Sequence, residues 1–383
     1  MTPILRHSFH QNKQGVFALK VLIVNPIIYT SETENIKKVP SVKDTMIYDL
    51  CLAFHKKGIE VTLAAAEDYK PLEEEEYPFR IEWFKCVCKK IFKPNVLPFC
   101  PDIAKLAQAE HFDLIISSEV FSVNSLLLAR KAPKRLIIWH ELAKHNKIFK
   151  EIPSRLWYGI IAKHFFKNVL IVPRSAEAKV FISGYCKNVC ETVIDHGVNL
   201  EKFESKTVKD NYFIVSSQLI ARKRINLIIE KFADYLKEYD SSCLLYIMGE
   251  GEERSALEEQ VRRLKIEENV RFFGKLPHGE LKKYLARARA MLVYTEKDNN
   301  MVSIVEALAC TTPVITTPVP YNASYIRLND LGIVDAFWGA KEMHSVVKNA
   351  EFYIGKCLNY RSFISTDSKA STFLELAKRL ETE

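Results

Sequence analysis

Two carboxylates, Asp298 and Glu306, bracket a loop of small and polar residues, Asn299-Asn300-Met301-Val302. The loop leaves an apolar run, Ala290–Tyr294, and enters a short helical pattern, Ser303–Ala309, with a further apolar run at Pro313–Thr316. Strand, loop, helix and strand make one βαβ unit. In open parallel sheets, ligands settle where such loops leave the carboxyl ends of strands. Backbone amides at a helix N-terminus suit an anion, and flanking carboxylates accept hydrogen bonds from sugar and ribose hydroxyls. A nucleotide-sugar site needs that combination. The competing reading is an ordinary helix with Glu306 in solvent.

The segment Glu306-Ala-Leu-Ala-Cys-Thr-Thr-Pro-Val-Ile315 resembles the signature of the retaining glycosyltransferases of family GT4, which have the GT-B fold. Asp298 stands where that family carries a first glutamate, Asn299-Asn300-Met301 replaces its Gly-Phe-Gly, and Thr311 replaces a glycine. A second segment, Val215–Ile229, resembles the family's Gly-Arg-Leu-x-x-x-Lys-Gly. Gln218 falls there on the arginine, Lys223 on the lysine and Arg224 on the glycine. By this resemblance Lys223 meets the charge that grows on a leaving diphosphate, a task that fixed cations perform without a metal. Gln218 offers only a neutral hydrogen bond, and Arg222 is the candidate replacement for the missing arginine. Cations at a helix start are slightly unfavourable, which within Arg222-Lys223-Arg224 favours function over a solvated cluster for Lys223 and leaves both readings open for Arg222.

Gly249-Glu-Gly251 and Phe272-Phe-Gly274 resemble segments that lie beside the nucleotide in the family. His140, ending the run Ile137-Ile-Trp-His, falls on a histidine that touches the donor sugar in many members. The implied roles are Asp298 on the sugar hydroxyls, Glu306 on the ribose and Lys223 on the diphosphate. The backbone amides of Asn299, Asn300, Met301 and Val302 would face the donor, and His140 would close over the sugar from the first domain. Val193–Asn199 resembles the segment that ends the family's first domain, with Gly197 expected at a positive-φ turn. The family's N-terminal glycine-rich loop is not visible; Asn25–Thr30 and the polar stretch Ser31–Lys38 occupy its place.

The elements that must position these residues alternate twice. Strands are expected at Val21–Asn25, Glu60–Ala64, Leu114–Ser118, Arg135–Trp139 and Val169–Pro173, with a helix at Val42–Lys57. A second series is expected at Tyr212–Ser216, Leu244–Met248, Val270–Phe273, Ala290–Tyr294 and Pro313–Thr316, with helices at Leu227–Lys237 and Glu252–Leu264. Continuous apolar runs between helices imply parallel sheets covered on both faces. The fold class is α/β: two doubly wound Rossmann-like domains with a central cleft. Residues 1–203 form an acceptor-binding domain and 204–368 a donor-binding domain, the boundary falling where Leu200–Asp210 lacks apolar periodicity. By family resemblance, a final helix, 369–383, crosses back to the first domain.

At 383 residues, 48% hydrophobic and 27% charged, the chain is a globular protein of about two domains. No run approaches the roughly 18 apolar residues of a membrane span, and the N-terminus lacks a signal-peptide layout. The nine cysteines are scattered without zinc-ligand spacing and read as reduced, cytoplasmic thiols. Net charge is +8, and Arg130–Lys167 holds ten Lys/Arg against Glu141 and Glu151. No nucleic-acid-binding motif accompanies that charge. Lys144, Lys147 and Lys150 suit instead the anionic inner face of a membrane, with Lys89, Lys90 and Lys93 in a second basic-apolar patch. Trp157, Ile160, Ile161 and Phe165 are expected on the core face of a helix.

The resulting expectation is a cytoplasmic, peripherally membrane-bound retaining hexosyltransferase. It would move a sugar from a nucleoside-diphosphate sugar to a glycan or lipid-linked hydroxyl in surface polysaccharide or glycoconjugate synthesis, with no cofactor and no metal. Two alternatives stay open: a sugar-nucleotide epimerase on the same fold, and a non-catalytic GT-B partner subunit suggested by the departures at Gln218 and Asp298.

Overall fold

The computed structural model describes residues 19–29, 36, 38–146, 148–298 and 300–382; Asn299, Lys147 and most of Ser31–Lys38 lie outside them. The first sheet holds β1 (Lys20–Val24), β2 (Glu60–Ala66), β3 (Arg80–Phe84), β4 (Leu114–Ser118), β5 (Leu136–His140) and β6 (Leu170–Pro173). The second holds β7 (Tyr212–Ser216), β8 (Leu244–Met248), β9 (Val270–Gly274), β10 (Met291–Val293), β11 (Val314–Thr316) and β12 (Gly332–Val334). The spatial orders are β3-β2-β1-β4-β5-β6 and β12-β11-β10-β7-β8-β9. Every pairing is parallel. Each sheet reverses direction once, between β1 and β4 and between β7 and β10, the doubly wound pattern with its ligand crevice at the reversal.

Central strands are buried on both faces, so their sequences are uninterrupted apolar runs. The edge strands β3 and β12, which the sequence reading missed, are half-buried. Arg80-Ile-Glu-Trp-Phe therefore mixes charged and apolar residues, and Gly332-Ile-Val is too short to stand out. One hydrophobic core serves the first sheet and two serve the faces of the second.

The closing helix, Thr366–Thr382, inserts Ala370, Phe373 and Leu376 into the first core. Phe373 meets Phe54 and Trp139, with ring centroids 6.4 and 5.4 Å away. Gly197 permits this crossing: a Cβ there would come within 3.0 Å of the Thr366 backbone nitrogen. It is not among the positive-φ residues, so close approach, and not the expected turn, accounts for the glycine. The 200–210 segment is also more than a linker. Lys209 sends its ammonium to the carbonyls of Ala286 (2.8 Å) and Cys310 (3.2 Å) and to Thr312 Oγ1 (2.9 Å). Burial pushes this lysine down to about 8.

Candidate active site

The β7 and β10 loops meet where the second sheet reverses. Glu296 N donates to Arg222 O (2.9 Å), tying the two loops together. Lys223 is 9% exposed, and its Nζ donates to Asp298 Oδ2 at 2.6 Å. Thr295 Oγ1 donates to the same oxygen at 2.7 Å, and Arg222 Nη1 reaches Asp298 Oδ1 at 3.2 Å. The carboxylate at 298 is therefore held between two cations. Burying a charge alone would be costly; the buried Lys223–Asp298 pair is neutral, Arg222 leaves a net positive charge beside it, and an ammonium, with three donors, can be shared with an incoming anion.

Asn300, Val302 and Glu306 line a cleft of about 600 Å³ between the two domains. Lys223 and Met301 border a smaller recess with Ser217 and Thr295. The helix Val302–Ala309 is apolar nearly all round and buried, which fixes Glu306 with 7% exposure. Burial rules out the solvated alternative for this residue. Its Oε1 lies 3.5 Å from Nδ1 of His278. That contact holds His278 above the usual imidazole range despite partial burial. The sequence reading did not single out His278, whose position at the start of a helix carries no motif. The expected amide of Met301 is not available: it donates to Asn322 Oδ1 at 2.7 Å, and the Met301 side chain is buried in the core.

The glycine-rich segments have a packing cause. A Cβ on Gly249 would lie 1.8 Å from Ser217 O, and one on Gly251 would lie 2.2 Å from Leu219 O. The β8 loop thus rests directly on the β7 loop that carries the exposed Gln218. Gly274, at φ +70, donates no side chain and accepts Gly249 N–H through its carbonyl at 2.8 Å. Arg224 and Thr311, which stand where the resembled family has glycine, both adopt positive φ, 48° and 57°. The backbone geometry is kept while the residue that suits it best is absent. Arg224 pairs with Glu296, and Thr311 Oγ1 bonds Lys206 O at 2.9 Å.

The first-domain wall differs from expectation at His140. Successive strand side chains face opposite ways, and here Trp139 and Glu141 line the cleft. His140 has no exposed surface. Its ring packs against Phe181 and Tyr158, with Nδ1 2.9 Å from Glu119 Oε2, so it supports the wall from beneath and does not close over a sugar. In its place stand Arg174, Glu141 and His196, which the sequence reading did not propose as site residues. Arg174 lies 3.7 Å over the Trp139 ring and pairs with Glu141 at 3.0 Å. Burial opposes the Glu141 charge, but the His196 and Arg174 contacts outweigh it and hold the carboxyl at about 2.

Comparison with known proteins agrees with this geometry. Residues 199–345 match the model of "Glycosyl transferases group 1", and residues 44–202 that of "Glycosyltransferase Family 4". The alpha-monoglucosyldiacylglycerol synthase of Streptococcus pneumoniae is 29% identical over 175 residues, covering 42% of this chain and 38% of that protein. The N-acetyl-alpha-D-glucosaminyl L-malate synthase of Bacillus anthracis is 33% identical over 110 residues, 29% of this chain and 28% of that protein. The matches thus span well under half the length of these relatives. Among solved structures, a glycosyltransferase of Rickettsia africae superposes with a TM-score of 0.66 at 13% identity, covering 95% of this chain and 99% of that one. Anabaena HepE, solved with UDP and glucose, gives 0.60 at 13% identity, covering 94% and 100%. The two matched models, the two doubly wound sheets and the loops joined at the second reversal place this chain in the group 1 glycosyltransferases, family 4, of GT-B architecture.

Proposed function

We propose that this protein is a retaining glycosyltransferase that moves a sugar from a nucleoside-diphosphate sugar to a hydroxyl of a glycan or lipid-linked acceptor. The observation that carries the reading is the buried Lys223–Asp298 pair at the sheet reversal. When the donor binds, Lys223 shares its ammonium between Asp298 and the diphosphate, and Arg222, two-fifths exposed, adds a second cation. The sugar–phosphate bond then breaks with its electron pair on the diphosphate. The acceptor oxygen bonds to the anomeric carbon on the same face, and the acceptor proton leaves toward the diphosphate. Cations already in place stabilise that charge without reorganisation, so the step needs no metal. Glu306 accepts from the ribose, and Asp298 accepts from a sugar hydroxyl with the acceptor capacity that Lys223, Thr295 and Arg222 leave free. HepE, which shares the fold, was solved with UDP, and the pneumococcal relative is named for a glucosylated lipid; both support a nucleotide donor and a glycoconjugate product.

The acceptor is met at an anionic membrane face. Lys144 and Lys150 are exposed, and the helical stretch after them shows Ile152, Leu156 and Ile160 to solvent at 57, 56 and 61% exposure. This corrects the expected core role of Ile160. Tyr158 and Ala162 take the buried side of this π-helical turn, and Ile160, midway between them, takes the opposite side. An apolar stripe beside lysines suits the boundary of an anionic bilayer. No described helix is long and apolar enough to cross a membrane. The test is turnover with UDP-, GDP- and ADP-sugars on lipid and glycan acceptors, with the anomeric configuration of the product read by NMR. An inverted product overturns the retaining assignment. Conversion of the donor without any acceptor would favour an epimerase.

A further inference from the structure

Asn322 has no exposed surface and stands outside every segment that the sequence reading singled out. Its contacts fix the orientation of two side-chain amides. A backbone N–H can only donate, so the Asn322 atom 2.7 Å from Met301 N is the oxygen. The other atom is the NH₂ group, which donates to Tyr325 Oη at 2.6 Å. It also lies 2.7 Å from Asn300, and two NH₂ groups cannot face one another at that distance. The Asn300 atom there is therefore its oxygen. It follows that the Asn300 NH₂ group points the other way. That nitrogen is buried and meets no hydrogen-bond partner among the described residues, and Asn300 lines the cleft. A buried amide donor without a partner carries a desolvation penalty that a ligand oxygen would relieve.

We propose that Asn300 Nδ2 is a donor-substrate contact, aimed at an oxygen of the bound nucleotide sugar, and that Asn322 is the positioning residue that sets its direction. The inference rests on the nucleotide-sugar reading of the cleft. It assigns recognition to a side chain at a place where the resembled family has a glycine-rich loop. Asn300→Ala removes the donor, and Asn300→Asp puts a charged acceptor in its place while keeping the oxygen that meets Asn322. In Asn322→Asp the Met301 amide keeps its acceptor, but nothing donates to Asn300, whose amide then reverses and presents oxygen to the cleft.

The experiment measures affinity for UDP-, GDP- and ADP-glucose and for the free diphosphates by calorimetry, alongside melting temperatures. Asn300→Ala is expected to weaken the preferred donor about tenfold, as for one lost hydrogen bond of about 1.4 kcal/mol. Asn300→Asp and Asn322→Asp should weaken it further. In the Asn300→Ala background, Asn322→Asp should change affinity less than twofold, because its effect passes through Asn300. Loss shared by the free diphosphate places the contact on a phosphate oxygen, and loss confined to the sugar nucleotide places it on a sugar hydroxyl. If Asn322→Asp does not fold, Asn300→Asp carries the test alone, since it leaves Asn322 intact. Asn300→Ala with unchanged affinity overturns the proposal, as does an Asn322→Asp effect equally large in both backgrounds. Wild-type protein that binds none of the nucleotides overturns the reading on which the proposal rests.

Discussion

The two walls of the cleft are built on the same doubly wound plan but treat charge differently. Beside the cleft-lining Asn300, Val302 and Glu306 of the second domain, Lys223, Asp298 and Arg222 come from two loops that meet at the sheet reversal. Their pairing leaves an exposed guanidinium and spare ammonium donors for an anion. On the first domain, Trp139 and Glu141 from the end of β5, Arg174 after β6 and His196 bind mainly one another. A guanidinium stacked on an indole and paired with a carboxylate is already compensated. The second wall is arranged to exchange partners with a ligand, whereas the first is arranged to hold its shape.

Lys223→Ala tests that difference most severely. Turnover should fall by roughly 10²–10³, the typical cost of one electrostatic donor at a charge that grows in the transition state, with a smaller loss of nucleotide affinity. Near-normal turnover would move the diphosphate elsewhere. Replacing Lys144, Lys147 and Lys150 together by Glu should abolish binding to anionic vesicles. Three lysines at about 1 kcal/mol each amount to about a hundredfold before the reversed charge is counted. Activity on a soluble acceptor should survive, and wild-type indifference to such vesicles at low salt would remove the membrane from the account.

Glu306→Gln sharpens the second wall. A charge-assisted hydrogen bond is worth roughly 1.5–3 kcal/mol, so nucleotide affinity should drop by about 10- to 150-fold while the melting temperature holds. Glu141→Gln probes the first wall through pH. A carboxyl held at about 2 when folded, against about 4.3 when unfolded, adds stability that is present above the unfolded value and is lost as pH falls toward 2. The variant should therefore flatten the acid limb of stability between pH 5 and 2, read as denaturation midpoints, and an unchanged slope would show that the His196 and Arg174 contacts contribute nothing. The smallest effect belongs to Arg224→Gly. Relief of a left-handed residue, about 1 kcal/mol, is set against an exposed ion pair worth about 0–1 kcal/mol, so stability should rise slightly or stay level.

Legibility in the sequence followed the same division. Buried central strands were visible because coverage on both faces demands unbroken apolar runs, and the half-buried edges β3 and β12 were not. The meeting of Lys223 with Asp298 and the burial of Glu306 could be anticipated because short loops and one helix fix their spacing. His140 was misplaced because a strand end says where a residue lies but not which face it takes. Met301 was misread because an amide's availability depends on Asn322, a distant residue with no local signal. Arg174, Glu141 and His196 converge only through tertiary folding. Lys209, read as part of a linker, finds its three acceptors on the helix His278–Arg287 and in the turn that follows the helix Val302–Ala309.

The central claim is that the second wall binds a nucleoside diphosphate through Lys223 and Glu306, and a thermal-stability titration with UDP, GDP, ADP and their sugars tests it most directly. One of these should stabilise the wild-type protein by about 2.7 kcal/mol at one hundred times its dissociation constant, and at that same concentration Lys223→Ala and Glu306→Gln should show a clearly smaller shift. No stabilisation of wild-type protein by any nucleotide, or an equal shift in all three proteins, would contradict the account.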